Sequence, residues 1–110
     1  MATTYKVLGQ SAPAATTPDD MYTVPASKAG IGSSIVVCNR GAENATYRVS
    51  ISVGGGATAD TDYIVYDADI LANDTIAFVM GVTLATTDVV RVYASTANLT
   101  FSLFGSEIDV

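Results

Sequence analysis

A strict alternation of apolar and polar residues runs through the middle of this chain and predicts a half-buried β-strand. Residues 47–53 read YRVSISV. Successive side chains of a strand point to opposite faces, so Tyr47 and the three aliphatic residues lie on one side and Arg48, Ser50 and Ser52 on the other. One face of the predicted strand is therefore buried and the other is solvated.

The same alternation returns near the C-terminal end. Residues 98–103 read NLTFSL and direct Leu99, Phe101 and Leu103 inward. Phe104 continues the pattern on the outer side, where it either anchors a contact with another molecule or packs at the end of the strand. Two strands of this kind predict a sheet with one wet face.

Other segments are apolar at nearly every position, as in strands that are covered on both sides. They are residues 34–38 (SIVVC), 63–66 (YIVY), 75–80 (TIAFVM) and 88–94 (DVVRVYA). We expect these four to be central strands. Two weaker candidates, residues 5–9 and 21–24, bring the total to about eight short strands.

About eight strands separated by turn-forming clusters predict an all-β fold, an antiparallel β-sandwich of jelly-roll or immunoglobulin-like type. A chain of 110 residues is typical of one domain, so residues 1–110 are expected to form a single sandwich. Residues 1–20 contain two prolines and little periodicity. They predict an extended N-terminal arm that lies on a neighbouring molecule, or a disordered tail.

Composition narrows the classes of function. The chain has no His, which removes the usual base of Ser-His and Cys-His catalysis, so we expect a binding protein rather than an enzyme and no cofactor. A net charge of -6 with five Lys and Arg opposes binding to nucleic acid and to anionic membranes. Only 15% of residues are charged, against about 25% in ordinary domains. This indicates a surface covered by copies of itself or by another protein, and the alternative is a soluble monomer with a Thr-rich surface.

Acidic residues gather around the 63–66 strand. Asp60, Asp62, Asp67 and Asp69 are weak candidates for a Ca²⁺ site, since Ca²⁺ takes several oxygen ligands, but their spacing does not match an EF-hand loop. The favoured interpretation is that they solvate the ends of the strand. A small Ca²⁺- or carbohydrate-binding β-module remains the alternative of another class.

Four residues are candidates for contacts with other molecules. Arg91 interrupts an apolar strand and either pairs with a loop aspartate or contacts a neighbour. Phe104 lies on the outer side of its strand. Tyr5 lies in the expected arm of residues 1–20, and Tyr22 lies in the strand candidate that follows it.

Four stretches of the chain resemble small all-β virion proteins of tailed bacteriophages, notably those of cyanobacteria. They are YKVLGQSAP at 5–13, YTVPA at 22–26, IVVCNRG at 35–41 and FSLFGSE at 101–107. The resemblance spans nearly the whole chain and carries no catalytic motif.

The resemblance implies a capsid decoration (cement) protein that stabilises the capsid lattice, or alternatively a neck, tail or fibre-attachment subunit. The implied partners are the major capsid protein or other virion proteins. A symmetric homo-oligomer is expected, with a trimer favoured. The location is the virion, after synthesis in the host cytoplasm, since the N-terminus shows no secretory signal.

Overall fold

Eight β-strands account for most of the chain in the computed structural model, which describes residues 2–110. The strands are β1 (Thr3–Ser11), β2 (Asp19–Thr23), β3 (Lys28–Asn39), β4 (Ala45–Ser52), β5 (Tyr63–Ile70), β6 (Thr75–Leu84), β7 (Val89–Ala94) and β8 (Leu99–Asp109). Two short 3₁₀ turns, Val53–Gly55 and Asp60–Asp62, lie between β4 and β5. Over this described range no helix has the length and apolarity that a membrane crossing requires.

The strands form two antiparallel four-stranded sheets, with strand orders β1-β8-β3-β6 and β2-β7-β4-β5. The chain is folded back on itself, so that β1 pairs with β8, β2 with β7, β3 with β6 and β4 with β5. A long hairpin rolled across two sheets in this way is a jelly roll. The structure therefore confirms the β-sandwich and selects the jelly-roll form over the immunoglobulin-like one.

One apolar core lies between the sheets. Leu99, Phe101 and Leu103 of β8 all point into it and are buried, as their alternation predicted. The ring of Tyr47 meets the edge of Phe101 with ring centroids 6.1 Å apart, which joins the two sheets across the core.

The alternation of residues 47–53 holds only in its first half. Tyr47 and Val49 are buried, but Ser50 and Ser52 are buried as well and Val53 is exposed. The strand ends at Ser52 and the chain turns away, which takes Val53 out of the sheet. The outward serines are covered because the loop after β4 folds back over the sheet.

Two of the four predicted central strands are edge strands instead. Residues 34–38 and 88–94 lie within or beside β3 and β7, which are central, whereas residues 63–66 and 75–80 lie in β5 and β6 at the sheet edges. Each edge strand leaves one apolar side uncovered, as Tyr66 and Val79 show. A continuous apolar run predicted that both faces of the strand are covered, but in β5 and β6 the outer face is exposed to solvent.

The N-terminal segment is part of the sandwich rather than a free arm. Residues 3–11 form β1, which pairs with β8 from Thr3 opposite Ile108 to Ser11 opposite Phe101. The chain then crosses to the other sheet and enters β2 at Asp19. The pairing uses the chain's own strand, so the extended arm of residues 1–20 is replaced by an edge strand and a crossover.

Phe101 and Phe104 provide a test of the fold on a single strand, because they lie on opposite faces of β8. Phe101 is 1% exposed and Phe104 37%. Phe101→Ala is expected to lower the free energy of unfolding by about 3–5 kcal/mol through lost burial and a cavity. Phe104→Ala should cost less than half as much, as measured by urea unfolding. Equal losses would contradict this assignment of the inner and outer faces.

Candidate functional site

The outer side of the β1-β8-β3-β6 sheet carries no charged side chain, and we call it the uncharged face. The strand registers and the alternation of side chains define its members. They are Thr3, Tyr5, Val7 and Gln10 on β1; Thr100, Ser102, Phe104, Ser106 and Ile108 on β8; Ala29, Ile31, Ser34, Val36 and Cys38 on β3; and Thr75, Ala77, Val79 and Thr83 on β6.

Cross-strand rows align the apolar members of this face. Phe104 lies opposite Val7 on one side and Ser34 on the other, and Ser34 lies opposite Val79. This row therefore crosses all four strands and ends at Val79, which is 90% exposed.

A second row lies next to the first and starts at Tyr5, which is 85% exposed. It continues through Ser106 and Ile31 to Thr83. With strands about 4.8 Å apart and residues about 3.3 Å apart, these two rows span roughly 250 Å². The whole uncharged face, about nine residues long on four strands, spans roughly 550 Å². An uncharged surface of this size is typical of a binding site for another protein.

Two of the four predicted contact residues, Tyr5 and Phe104, lie in adjacent rows of the uncharged face. Sequence reasoning missed the rest of the face because strand register decides which outward side chains become neighbours. The low charged fraction was the signal for it, since the missing charges prove to be missing from this one side. Cys38 also lies here, opposite Thr100 and Thr75, as a free, partly exposed thiol.

The outer side of the other sheet has the opposite chemistry. The guanidinium of Arg48 lies between two tyrosine rings, 4.3 Å from the centroid of Tyr66 and 4.4 Å from that of Tyr93. Its Nε and Nη2 donate to the two carboxylate oxygens of Asp67 at 2.6 and 3.2 Å. The hydrogen bond from Arg48 lowers the pKa of Asp67. The guanidinium therefore makes cation–π contacts with both rings and a bidentate ion pair with the carboxylate.

Arg91 belongs to the same side and fastens the β4–β5 loop to the sheet. Its Nε donates to Asp20 at 2.7 Å, and its Nη1 donates to Ser52 at 2.8 Å and to the carbonyl of Gly56 at 2.6 Å. Of the two roles predicted for Arg91, the structure shows the pairing with an aspartate. The guanidinium is occupied by these contacts, so it holds the loop in place rather than presenting a free charge.

Tyr22 lies inside the molecule and presents no surface for a partner, which corrects its prediction as a contact residue. Its hydroxyl donates to Glu107 at 2.7 Å, and Lys6 donates to the same carboxylate at 3.2 Å. Glu107 is 8% exposed. Burial, followed by the bond to Glu107, raises the pKa of Tyr22. The bond from Tyr22, followed by that from Lys6, lowers the pKa of Glu107. The group joins β1, β8 and β2, and so links both sheets.

The four candidate aspartates do not converge on a common point. Asp62 accepts from the backbone N–H of Ala59 at 2.8 Å, and Asp67 is held by Arg48. Asp60 lies in the loop, and Asp69 lies on β5 opposite Thr46. Across residues 2–110 no group of three acidic or thiol side chains is placed to hold a metal ion. Loop capping engages Asp62 and an ion pair engages Asp67, so these aspartates do not form a common set of ligands in this structure.

Several solved structures match this chain, including the following two. One is "Structure of infectious bursal disease virus Gx strain", at 12% identity and a TM-score of 0.55, covering 96% of this chain and 32% of that one. The other is a pentameric capsid protein isolated from metagenomic phage sequences, at 13% identity and a TM-score of 0.42, covering 98% and 60%.

The first match shows a shared fold. This chain spans about a third of the length of the first matched chain and three fifths of the second. No protein-family model matches the sequence, and comparison with curated proteins finds no match.

The buried Glu107 predicts acid sensitivity. A carboxylate whose pKa is lowered below its ordinary value of 4.5 stabilises the fold above that value, and the contribution is lost as the pH falls through its folded pKa. Glu107→Gln should therefore flatten the loss of unfolding free energy between about pH 5 and pH 3. The matched control is Glu43→Gln, at an exposed glutamate, which should keep the wild-type slope. Equal slopes in all three proteins would contradict a role for Glu107.

The scattered aspartates predict indifference to calcium. Ca²⁺ at about 5 mM exceeds the dissociation constants of even weak protein sites, and binding to the folded state would raise the melting temperature. We expect no change in a thermal melt, with Mg²⁺ as the control for ionic strength. A rise specific to Ca²⁺ that disappears in Asp60→Asn would contradict the structural assignment.

Proposed function

We propose that this chain is a structural protein of a virus particle, and specifically a decoration protein that binds the capsid shell through the uncharged face. The single observation that carries the proposal is that face: a whole four-stranded sheet side without a charge, in a chain of net charge -6. Protein interfaces are depleted of charged residues at their centre and enriched in aromatic ones. Tyr5 and Phe104 provide such aromatic groups.

A protein bound through the uncharged face exposes its opposite sheet to solvent, and that sheet carries charged side chains. Arg48, Arg91 and their acidic partners lie on the opposite sheet, which faces solvent when the uncharged face is covered. Removal of apolar surface from water contributes about 25 cal/mol per Å², and part of this is offset by the cost of association. If several copies are linked in an oligomer, each copy binds its own site on the capsid lattice, and the oligomer is held more tightly than a single copy.

The fold supports the proposal without deciding it. Jelly rolls occur in viral capsid proteins, lectins and cupins. The first matched structure comes from a virus, and the sequence resembles virion proteins of tailed phages. On this proposal the chain acts by binding rather than by catalysis. Its partner is the major capsid protein, and it assembles into the virion after synthesis in the host cytoplasm.

A neck, tail or fibre-attachment subunit is the alternative within the same class, since it also needs an uncharged docking face. The decoration role and the tail role predict different defects in particles that lack the protein. Particles that lack a decoration protein lose resistance to heat but still adsorb to the host. Particles that lack a tail component keep a heat-resistant capsid and fail to adsorb.

Tyr5→Glu tests the docking face, because Tyr5 is highly exposed and its replacement leaves the core intact. Purified wild-type protein is expected to bind to particles that lack it and to raise their inactivation temperature, as measured by co-sedimentation and heating. Tyr5→Glu should reduce binding at least tenfold, since a carboxylate would be buried without a partner.

The matched control is Val53→Glu, which adds the same charge at a residue that is 80% exposed and lies outside the uncharged face. It should bind as wild type does. Equal binding by Tyr5→Glu and wild type would overturn the assignment of the face. If wild-type protein did not raise the inactivation temperature of the particles, the decoration role would be overturned.

A further inference from the structure

Strand β6 is an edge strand whose outer backbone has no partner within the chain. Its ladder partner is β3, on one side only. The first N–H, that of Thr75, donates to the carboxylate of Asp74 at 2.8 Å. Among the described residues, the rest of the strand has no hydrogen bonds outside that ladder. A row of free N–H and C=O groups of this kind is a template for pairing with another strand.

Strand β6 carries neither a charged residue nor a proline that would protect such an edge. Its one irregularity is a register shift between Val79 and Val82, and Thr75–Val79 pairs regularly with β3. Thr75–Leu84 reads TIAFVMGVTL, ten residues without a charge or a proline. Natural edge strands are blocked by lysines, prolines, bulges or short length. A long edge without charged residues or proline is consistent with an edge that is paired in the assembled protein.

The other three edges all carry such protection. Strand β1 contains Lys6 at its centre. Strand β2 is five residues long and begins with two aspartates. Strand β5 contains Asp67 and Asp69 and is irregular where it pairs with β4. The contrast leaves β6 as the one edge strand in the described structure that carries no charged residue.

We propose that β6 pairs antiparallel with β6 of a second copy, so that two β1-β8-β3-β6 sheets become one continuous eight-stranded sheet. A two-fold axis brings the same uncharged strand to both sides of the new ladder, and no charge of either copy enters it. Each copy has a net charge of -6, so pairing through the acidic β2 or β5 edges would place carboxylates against carboxylates. Pairing through β6 avoids this repulsion.

The pairing also extends the uncharged face. Val79 is the most exposed apolar residue at this edge, and the new ladder places it beside the β6 of the partner. The outer sides of both sheets join, which doubles the surface that the proposed function assigns to the capsid shell. That use in the particle depends on the proposed function, whereas the pairing itself does not.

A pair binds with two faces at once and therefore detaches more slowly than one copy. The pair has two-fold symmetry, in contrast to the expected trimer.

The test uses the full chain in solution, without particles. Light scattering across a concentration series is expected to show a mass twice that of the 11.3 kDa chain. Hydrogen–deuterium exchange of the dimer, resolved by NMR, should show slow exchange for alternate β6 amides that have no partner in the monomer. The outward amides of β1 should exchange rapidly in the same sample and serve as the internal control.

Val79→Lys should return the protein to the mass of a single chain, because it places a lysine from each copy at the new ladder. Val53→Lys adds the same charge at a similarly exposed residue away from β6 and should remain dimeric. Circular dichroism and a thermal melt establish that both variants are folded.

A monomer at every concentration would overturn the pairing, and so would an oligomer in which the β6 amides exchange rapidly. A dimer that Val79→Lys leaves intact would also overturn it. These outcomes are separate from failure of the proposed function. That failure would appear as a β6-paired dimer that does not bind particles, or as particle binding that Tyr5→Glu does not affect.

Discussion

The register of the β3–β8 ladder is the constraint on which the rest of the structure depends. It runs without interruption from Ser34 opposite Phe104 to Asn39 opposite Leu99. A slip of one residue would turn every side chain of one strand to the other face. Phe101 and its inward neighbours would then be solvated, and the serines and threonines of the outer side would enter the core. Burial of the aromatic and aliphatic residues therefore secures both the core and the composition of the uncharged face.

Opposite chemistry on the two outer sides follows from how each sheet is stabilised. The β2-β7-β4-β5 sheet uses Arg48 and Arg91 as cross-strand links, and each guanidinium is matched by a carboxylate. The β1-β8-β3-β6 sheet has no such links on its outer side. Its one buried carboxylate, Glu107, points inward and connects to Tyr22 of the other sheet. The charges thus stabilise one side and the connection between sheets, and the other side remains free of them.

This segregation of charge links the fold to the proposed assembly. A molecule with a net charge of -6 repels its own copies and most acidic proteins wherever its charges are exposed. Close approach is favourable only through the uncharged face and the β6 edge that borders it. The two surfaces are continuous at Val79, so the proposed docking and the proposed pairing use a single region of the molecule. Stability and solubility are provided by the remaining surface.

The sequence by itself determined the local structure. Alternation at 98–103 identified the inner and outer sides of β8, and apolar runs with turn clusters identified all eight strands, because period two is a property of neighbouring residues. The tertiary structure decided everything that depends on distant pairs. It made 63–66 and 75–80 edge strands, incorporated residues 3–11 into a sheet and buried Tyr22. Pairing partners, which local pattern does not encode, determine whether an apolar strand is central or exposed. For the same reason the sequence showed that charge was scarce, and only the strand registers showed which face lacks it.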